Sequence, residues 1–159
     1  MQVGSLGAYR GALRRAVLRL KESNDQKLAQ LLGCRLSQML FERGLDSAQV
    51  VAVPSSVRRL RWRGYSGPER LAAVISQQLG WPLLKGLSCP GDPAPRKALR
   101  SFKLRRMHSA HFHWRGPLSG TVVLVDDVVT SGQTLKAARQ VLLQAGATRV
   151  EMICVARSS

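Results

Sequence analysis

Hydrophobic positions in the first part of the chain recur with the spacing of α-helices. Between residues 8 and 21 the apolar positions are Leu13, Val17 and Leu20, and arginines lie between them, which predicts an amphipathic helix. The pair Asn24–Asp25 is suited to cap a second helix, whose apolar series continues to Gly44. We therefore predict a helical N-terminal portion over about residues 8–44.

The rest of the chain alternates short apolar runs with helical patterns. Strand-like runs occupy Val50–Val53, Val122–Val125 and Val150–Val155. Helical patterns open at Pro68 and close at Gly80, and run from Leu135 to Gly146. Continuous apolar runs of this length are typical of parallel strands buried on both faces. This alternation predicts an α/β fold with a mainly parallel open sheet flanked by helices, and with sites at the carboxyl ends of the strands.

Residues 81–87 form a weaker candidate strand, because Pro82 and Gly86 interrupt it. The length of 159 residues suits a single domain, which we place over residues 1–159. Three widely separated cysteines favour neither a disulfide framework nor a zinc site. No leader pattern or membrane-length apolar run is visible in the sequence, so we expect a cytoplasmic protein.

The charge is strongly basic, with 25 Lys and Arg against 9 Asp and Glu and a net charge of +16. Such a charge attracts polyanions, including nucleic acid, but a solvated basic surface accounts for it equally well. The segment Arg96–Arg115 is basic throughout, contains no acid, and carries all three histidines and three aromatic residues. We expect this segment to be mobile or to face a ligand.

The stretch Val122–Thr134 carries the most specific chemistry. After the apolar strand come Asp126 and Asp127, and the loop to the next helix consists of Thr130, Ser131, Gly132, Gln133 and Thr134. The first amides of a helix have no intrahelical acceptor and lie at the positive end of the helix dipole, so this loop suits a phosphate monoester. Gly132 lets the backbone approach the phosphate closely.

Two carboxylates beside a phosphate would repel it unless they faced ribose hydroxyls or a divalent cation such as magnesium, Mg²⁺. An alternative is that Asp127 caps the following turn and Thr130 caps the helix, which accounts for one acid and leaves the other unexplained. The other common phosphate-binding loops are absent from the sequence, which disfavours an ATPase or a dinucleotide enzyme.

These residues resemble a known family. Val122–Leu135 is similar to the phosphoribosyl pyrophosphate motif of the type I phosphoribosyltransferases, and nearly the whole chain resembles the ComF (competence protein F) branch of that family. The segments that carry the wider resemblance are Ala8–Gly11 through Lys21, Val51–Pro54, Arg63–Tyr65, and Leu99 with Phe112.

The resemblance implies a type I phosphoribosyltransferase fold and a role for each matched residue. Asp126 and Asp127 would orient the ribose and share its developing charge in catalysis, with Mg²⁺ held near them indirectly. The implied phosphoribosyl contacts are Val128, Thr130, Ser131, Gly132, Gln133 and Thr134. The implied pyrophosphate loop contains Ser55, Ser56, Arg58 and Arg59, and the implied hood or flap contains Arg100 and Lys103. Relatives begin with a four-cysteine zinc module that has no counterpart before Tyr9, so zinc is not implied.

The chain also departs from the family pattern. Ser66 and Gly67 replace the usual Asn-Gln, and the usual flap residues correspond to Arg96, Leu104 and Met107, so the acceptor base cannot be read from the sequence.

Two functions stay open. One is a phosphoribosyltransferase or phosphoribosyl pyrophosphate binder with Mg²⁺, linked by resemblance to natural transformation and DNA uptake.

The other is a non-catalytic competence factor that binds single-stranded DNA or a DNA-processing helicase or recombination partner. The aromatics Phe102, Phe112 and Trp114 would then either stack on bases or, as we favour, belong to the core.

Overall fold

Five parallel strands form the central sheet of the protein. A computed structural model describes residues 3–55, 62, 64–89 and 112–158. The elements in chain order are β1 (Val3–Ala8), α1 (Gly11–Glu22), α2 (Gln26–Glu42), β2 (Gln49–Ala52), α3 (Gly67–Leu79), β3 (Leu83–Leu84), β4 (Leu87–Ser88), β5 (His113–Trp114), β6 (Thr121–Val129), α4 (Gln133–Gln144) and β7 (Arg149–Arg157).

The strand order in this sheet is β1-β7-β6-β2-β3, and each neighbouring pair is parallel. The long strand β6 lies at the centre, with Val125 beside Ala52 of β2 on one side and beside Ile153 of β7 on the other. A second, two-stranded sheet pairs β4 with β5 in antiparallel register. The predicted α/β class with a mainly parallel sheet is confirmed.

Helices cover the sheet on both faces and bury two apolar clusters. One cluster joins residues of α1, α2 and α3 to sheet residues such as Val123, Val125 and Ile153. The other joins α4 to sheet residues of the opposite face, such as Val122, Leu124 and Met152. Because both faces of the central strands are covered, their sequences are apolar without alternation. None of the helices in the described residues is long and apolar enough to cross a membrane.

The N-terminal portion differs in one respect from the sequence-based prediction. The two predicted helices are present, and the Asp25 carboxylate caps α2 by accepting a 2.9 Å hydrogen bond from the amide of Leu28. This bond is the first cause of a lowered pKa of Asp25. The strand β1, however, was not predicted, because Gly4, Ser5 and Gly7 dilute its apolar pattern. It pairs with the last strand as an edge of the sheet.

Helices α2 and α3 approach closely at Gly33. A Cβ atom at this position would lie 2.5 Å from Cγ1 of Val74, so only glycine fits without a shift of α3. This contact fixes α3 against α2 and places the first residue of α3, Gly67, over the carboxyl end of β6.

Candidate functional site

Both predicted acids belong to the strand and do not follow it. The sequence predicted that the apolar strand ends at Val125, but β6 continues to Val129 and keeps its pairing with β7, in which Asp126 lies opposite Cys154 and Val128 opposite Ala156. The parallel ladder therefore holds the backbone of both acids rigidly at the carboxyl end of the sheet.

Asp127 is almost fully buried and forms an ion pair. Its exposed fraction is 9%. The Nζ atom of Lys21, at the end of α1, lies 3.2 Å from Oδ1 of Asp127. On the other side of the carboxylate, a Cβ atom built on Gly67 would lie 3.4 Å from Oδ2. The proposed turn-capping role of Asp127 is thus replaced by a contact with two helices, α1 and α3.

Asp126 is more exposed and has different neighbours. Its Oδ1 atom accepts a 2.8 Å hydrogen bond from the amide of Asp127, which fixes the orientation of the carboxylate. Burial, together with the nearby charge of Asp126, raises the pKa of the Cys154 thiol to about 12. Cys154 is therefore a neutral, buried core residue, as the sequence indicated.

The loop after β6 turns sharply into α4 at Gly132. This residue has φ of 71°, in the left-handed region, and is the N-cap of α4. No side chain in the described part of the chain caps this helix start, so the alternative in which Thr130 caps α4 is wrong. Thr130, Ser131, Gln133 and Thr134 are exposed around the turn, whereas Gly132 itself is buried.

The carboxyl end of β2 lies beside the acid pair. The amide of Val53 donates to the carbonyl of Val125 at 2.9 Å, so Pro54 and Ser55 leave the sheet next to Asp126. The Ser55 hydroxyl lies 3.0 Å from the hydroxyl of Ser66, the N-cap of α3. The other predicted loop and flap residues, Ser56, Arg58, Arg59, Arg100 and Lys103, lie outside the described residues.

A pocket of about 410 Å³ opens between the end of β2, the start of α3 and the edge strand β3. Its lining includes Tyr65, Arg70 and Lys85. The guanidinium of Arg70 lies 4.6 Å from the centre of the Tyr65 ring. Within the described structure, the buried Tyr65 hydroxyl and Arg70 Nη1 have no hydrogen-bond partner. Such atoms are costly unless a partner reaches them.

The strands β4 and β5 flank residues 90–111 in the sequence and pair with each other. Leu87 pairs with Trp114 and Ser88 with His113, so the chain enters and leaves residues 90–111 at one place. Phe112 is 6% exposed and belongs to the core, which confirms our preferred interpretation for this aromatic.

In the part of the chain that the structure describes, the side chains alone do not form a metal cage. Among the described residues no group of three or more His, Cys, Asp or Glu side chains could hold a metal ion. Mg²⁺ usually retains water and binds through one or two carboxylates together with substrate phosphates. Asp126 and Asp127 offer oxygen donors of the type that Mg²⁺ takes in such sites.

Four residues near the site had no role assigned to them from the sequence: Lys21, Ser66, Gly67 and Arg70. Lys21 could have been selected only as the last residue of a segment that carries the family resemblance. The packing of α1 against β6 brings the Lys21 ammonium to Asp127. This packing is a tertiary contact and leaves no local signal in the sequence.

Comparisons with known proteins agree with this geometry. Residues 98–159 match the family model of the phosphoribosyl transferase domain. The solved structure of the allosteric regulatory enzyme of purine biosynthesis aligns with 87% of this chain and 30% of its own, at 19% identity and a TM-score of 0.51. The likeness to this enzyme shows a shared fold. Residues 98–159 of the chain are thus similar to a phosphoribosyl transferase domain, and the chain shares the fold of this enzyme.

Sequence relatives are similar to most of the chain. It is 28% identical over 169 residues to the DNA utilization protein YhgH of Salmonella typhimurium, with 97% of this chain and 71% of the relative covered. The protein of the same name from Escherichia coli is 28% identical over 165 residues, with 94% and 69% covered. The resemblance to the ComF-like branch of the type I phosphoribosyltransferases is confirmed by these matches.

Proposed function

We propose that the protein binds phosphoribosyl pyrophosphate, or another ribose 5-phosphate compound, together with Mg²⁺. The observation that carries this proposal is the uncapped start of α4 at Gly132, which directly follows a strand bearing two acids. The amides at this helix start and the hydroxyls of the exposed residues Thr130, Ser131 and Thr134 bind the 5-phosphate. Asp126 and Asp127 bind the ribose hydroxyls.

Charge explains why the turn at Gly132 binds the phosphate and the acid pair binds the hydroxyls. A phosphate dianion is favoured at a helix N-terminus and disfavoured beside carboxylates, whereas a hydroxyl donates a hydrogen bond to a carboxylate. A sugar phosphate satisfies both parts of the site because its phosphate and its hydroxyls lie at opposite ends. Inorganic phosphate satisfies only the turn, and free ribose satisfies only the acids.

The pyrophosphate group of phosphoribosyl pyrophosphate would lie near Ser55, which follows the carboxyl end of β2. Arg70 and Lys85 line the adjacent pocket together with Glu69, so the charged lining has an excess of one positive charge (two minus one). The unpartnered Arg70 Nη1 is a donor that an anion could satisfy after a small rearrangement. When bound, Mg²⁺ would neutralise part of the pyrophosphate charge.

In a transferase reaction, the bond between ribose C1 and the pyrophosphate oxygen breaks with its electron pair leaving on pyrophosphate, and a bond from C1 to the acceptor nucleophile forms. The positive charge that develops at the ribose is stabilised by nearby carboxylates. Asp126 and Asp127 supply these charges in our proposal, since the parallel ladder holds their backbone rigidly.

Calorimetric titration tests the binding proposal. The wild-type protein is titrated with phosphoribosyl pyrophosphate plus Mg²⁺ and with ribose 5-phosphate, and then compared with Asp126→Asn/Asp127→Asn. Loss of hydrogen bonds to two carboxylates predicts affinity that is lower by about tenfold or more.

The variant Glu42→Gln/Asp46→Asn removes the same amount of charge on the exposed surface and should bind normally. If the wild-type protein bound neither of the two ligands, the proposal would be contradicted. A panel of bases, assayed for consumption of phosphoribosyl pyrophosphate, then decides whether binding leads to transfer.

A second candidate function is contact with nucleic acid. Two observations favour it: the relatives are named DNA utilization proteins, and the structure contains a basic groove. The groove, of about 790 Å³, lies between α2, α4 and β7. Its charged lining consists of Arg43, Lys136, Arg139, Arg149 and Glu151. Glu151 is paired with Arg149 at 2.7 Å, so Lys136 and Arg139 supply most of the excess charge.

Fluorescence anisotropy with labelled single-stranded DNA at several salt concentrations tests this candidate. Lys136→Glu/Arg139→Glu should weaken binding and flatten its salt dependence, because two phosphate contacts are lost. Asp126→Asn/Asp127→Asn is the matched control and should leave DNA binding unchanged. Equal binding by all three proteins would eliminate this groove as the DNA site.

A further inference from the structure

Lys21 and Asp127 form a partly buried ion pair between two elements that are far apart in sequence. The lysine lies in the last turn of α1, and the aspartate lies near the end of β6. Their charged atoms are 3.2 Å apart, and their side chains are 30% and 12% exposed. Exposed ion pairs contribute little, but a pair with one nearly buried member is costly to break.

The surroundings of the pair restrict the orientation of the Asp127 carboxylate. Gly67 approaches Oδ2 from the start of α3, and a Cβ atom on Gly67 would also lie 3.5 Å from Cδ2 of Leu20. The carboxylate is therefore packed between the ends of two helices while Lys21 holds Oδ1. Both the lysine and the N-terminal end of α3 present positive potential to it.

This arrangement still leaves hydrogen-bonding capacity on Asp127. A carboxylate has about four lone-pair positions, and the Lys21 ammonium occupies one of them. The remaining positions on Oδ1 and Oδ2 are fixed in direction because the carboxylate cannot rotate freely. A fixed acceptor binds a hydroxyl more tightly than a mobile one, since less conformational entropy is lost on binding.

We infer that Lys21 is a positioning residue that orients Asp127 for the ribose hydroxyls, without touching the ligand itself. This inference rests on the proposed function, because it concerns the sugar-binding half of the same site. It predicts that Lys21 matters for ligands that carry a ribose and not for phosphate alone, which needs only the turn at Gly132.

The test compares two ligands in calorimetric titrations, ribose 5-phosphate and inorganic phosphate. Lys21→Met should weaken ribose 5-phosphate binding by about tenfold and leave inorganic phosphate binding unchanged. Lys21→Arg keeps a cation near Asp127 and should restore most of the lost affinity. Lys27→Met, which removes an exposed charge from α2, should behave as wild type.

A double-mutant cycle distinguishes positioning from direct contact. If Lys21 acts through Asp127, then Lys21→Met/Asp127→Asn should bind ribose 5-phosphate as weakly as Asp127→Asn alone. Additive losses would show that the lysine contacts the ligand and would overturn the inference. Equal weakening of both ligands by Lys21→Met, or no weakening of either, would overturn it too.

Failure of the inference can be told from failure of the proposed function. If the wild-type protein binds neither ligand, the proposed function fails. If the wild-type protein binds ribose 5-phosphate and Asp127→Asn does not, but Lys21→Met binds normally, only the inference fails. Circular dichroism checks the fold of each variant, and Lys21→Gln replaces Lys21→Met if the latter does not fold.

Discussion

The hydroxyl of Ser55 at the end of β2 lies 3.0 Å from the hydroxyl of Ser66, which is the N-cap of α3. Ser66 is 3% exposed and also accepts a hydrogen bond from the amide of Glu69. One buried side chain therefore both begins a helix and ties that helix to the strand that leads toward the proposed anion site. The carboxyl end of the sheet and the start of α3 are held together at this point.

Replacing Ser66 by alanine should destabilise the protein by about 1 kcal/mol, because α3 loses its cap. The Ser55 hydroxyl also loses its partner, so the loss should exceed that of a solvent-exposed cap. Chemical denaturation measures the free energy of unfolding. Ser66→Thr, which retains the hydroxyl, is the matched variant, and equal stability of wild type and Ser66→Ala would contradict the assigned role.

Replacing Gly132 by alanine should damage both stability and phosphate binding. An alanine at φ of 71° costs about 1–2 kcal/mol, and its Cβ atom would crowd the turn that we propose for the phosphate. Gly80→Ala is the control, since Gly80 has φ of 68° at the end of α3 and lies outside the turn. Both variants should lose stability, but only Gly132→Ala should lose affinity for inorganic phosphate in calorimetry.

Replacing Gly33 by alanine should destabilise the protein by about 1–3 kcal/mol through overpacking against Val74. Removing the two Cγ atoms in Gly33→Ala/Val74→Ala should recover part of this loss, while Cβ of residue 74, at 2.6 Å, remains. Thermal unfolding of the two single variants and the double variant measures the coupling. Strictly additive losses would show that the two residues do not press on one another.

Cys154 should resist alkylation in the folded protein. Its pKa is raised from 9.0 to about 12, mainly by burial, so the reactive thiolate is scarce at pH 8. Iodoacetamide treatment followed by mass spectrometry should modify Cys154 only after denaturation. Because the unfolded thiol ionises near pH 9 while the folded one does not, this group should also lower stability progressively between pH 9 and about pH 12. Rapid labelling of Cys154 in the native state would contradict its burial.

Much of the fold could be predicted because its signals are local. The helices α1 and α2 follow from apolar spacing and the cap at Asp25, and α3 follows from Pro68 and Gly80. The strand β1 gives no such signal, since its glycines and serine interrupt the apolar pattern. The end of β6 was misplaced for a related reason: two acids usually end a buried strand, but here tertiary contacts keep them in it.

The candidate site likewise contains residues that could be predicted from the sequence and residues that could not. The turn at Gly132 and the acid pair could be found in one short segment, because phosphate binding at a helix start requires consecutive residues. Lys21 and Ser66 could not be found, since each reaches the site from another element. Propensity and motif spacing contain no information about which side chains of separate helices meet a strand end.

The parallel pairing of β1 with β7 joins the first and last of the described strands, with Val3 beside Met152 and Ala8 beside Arg157. During synthesis on the ribosome, β1 emerges long before its partner and cannot complete its hydrogen-bonded ladder until β7 has been translated. Such distant pairing slows folding and exposes unpaired strand edges in the nascent polypeptide. The native sheet therefore cannot be completed before β7 has been synthesised.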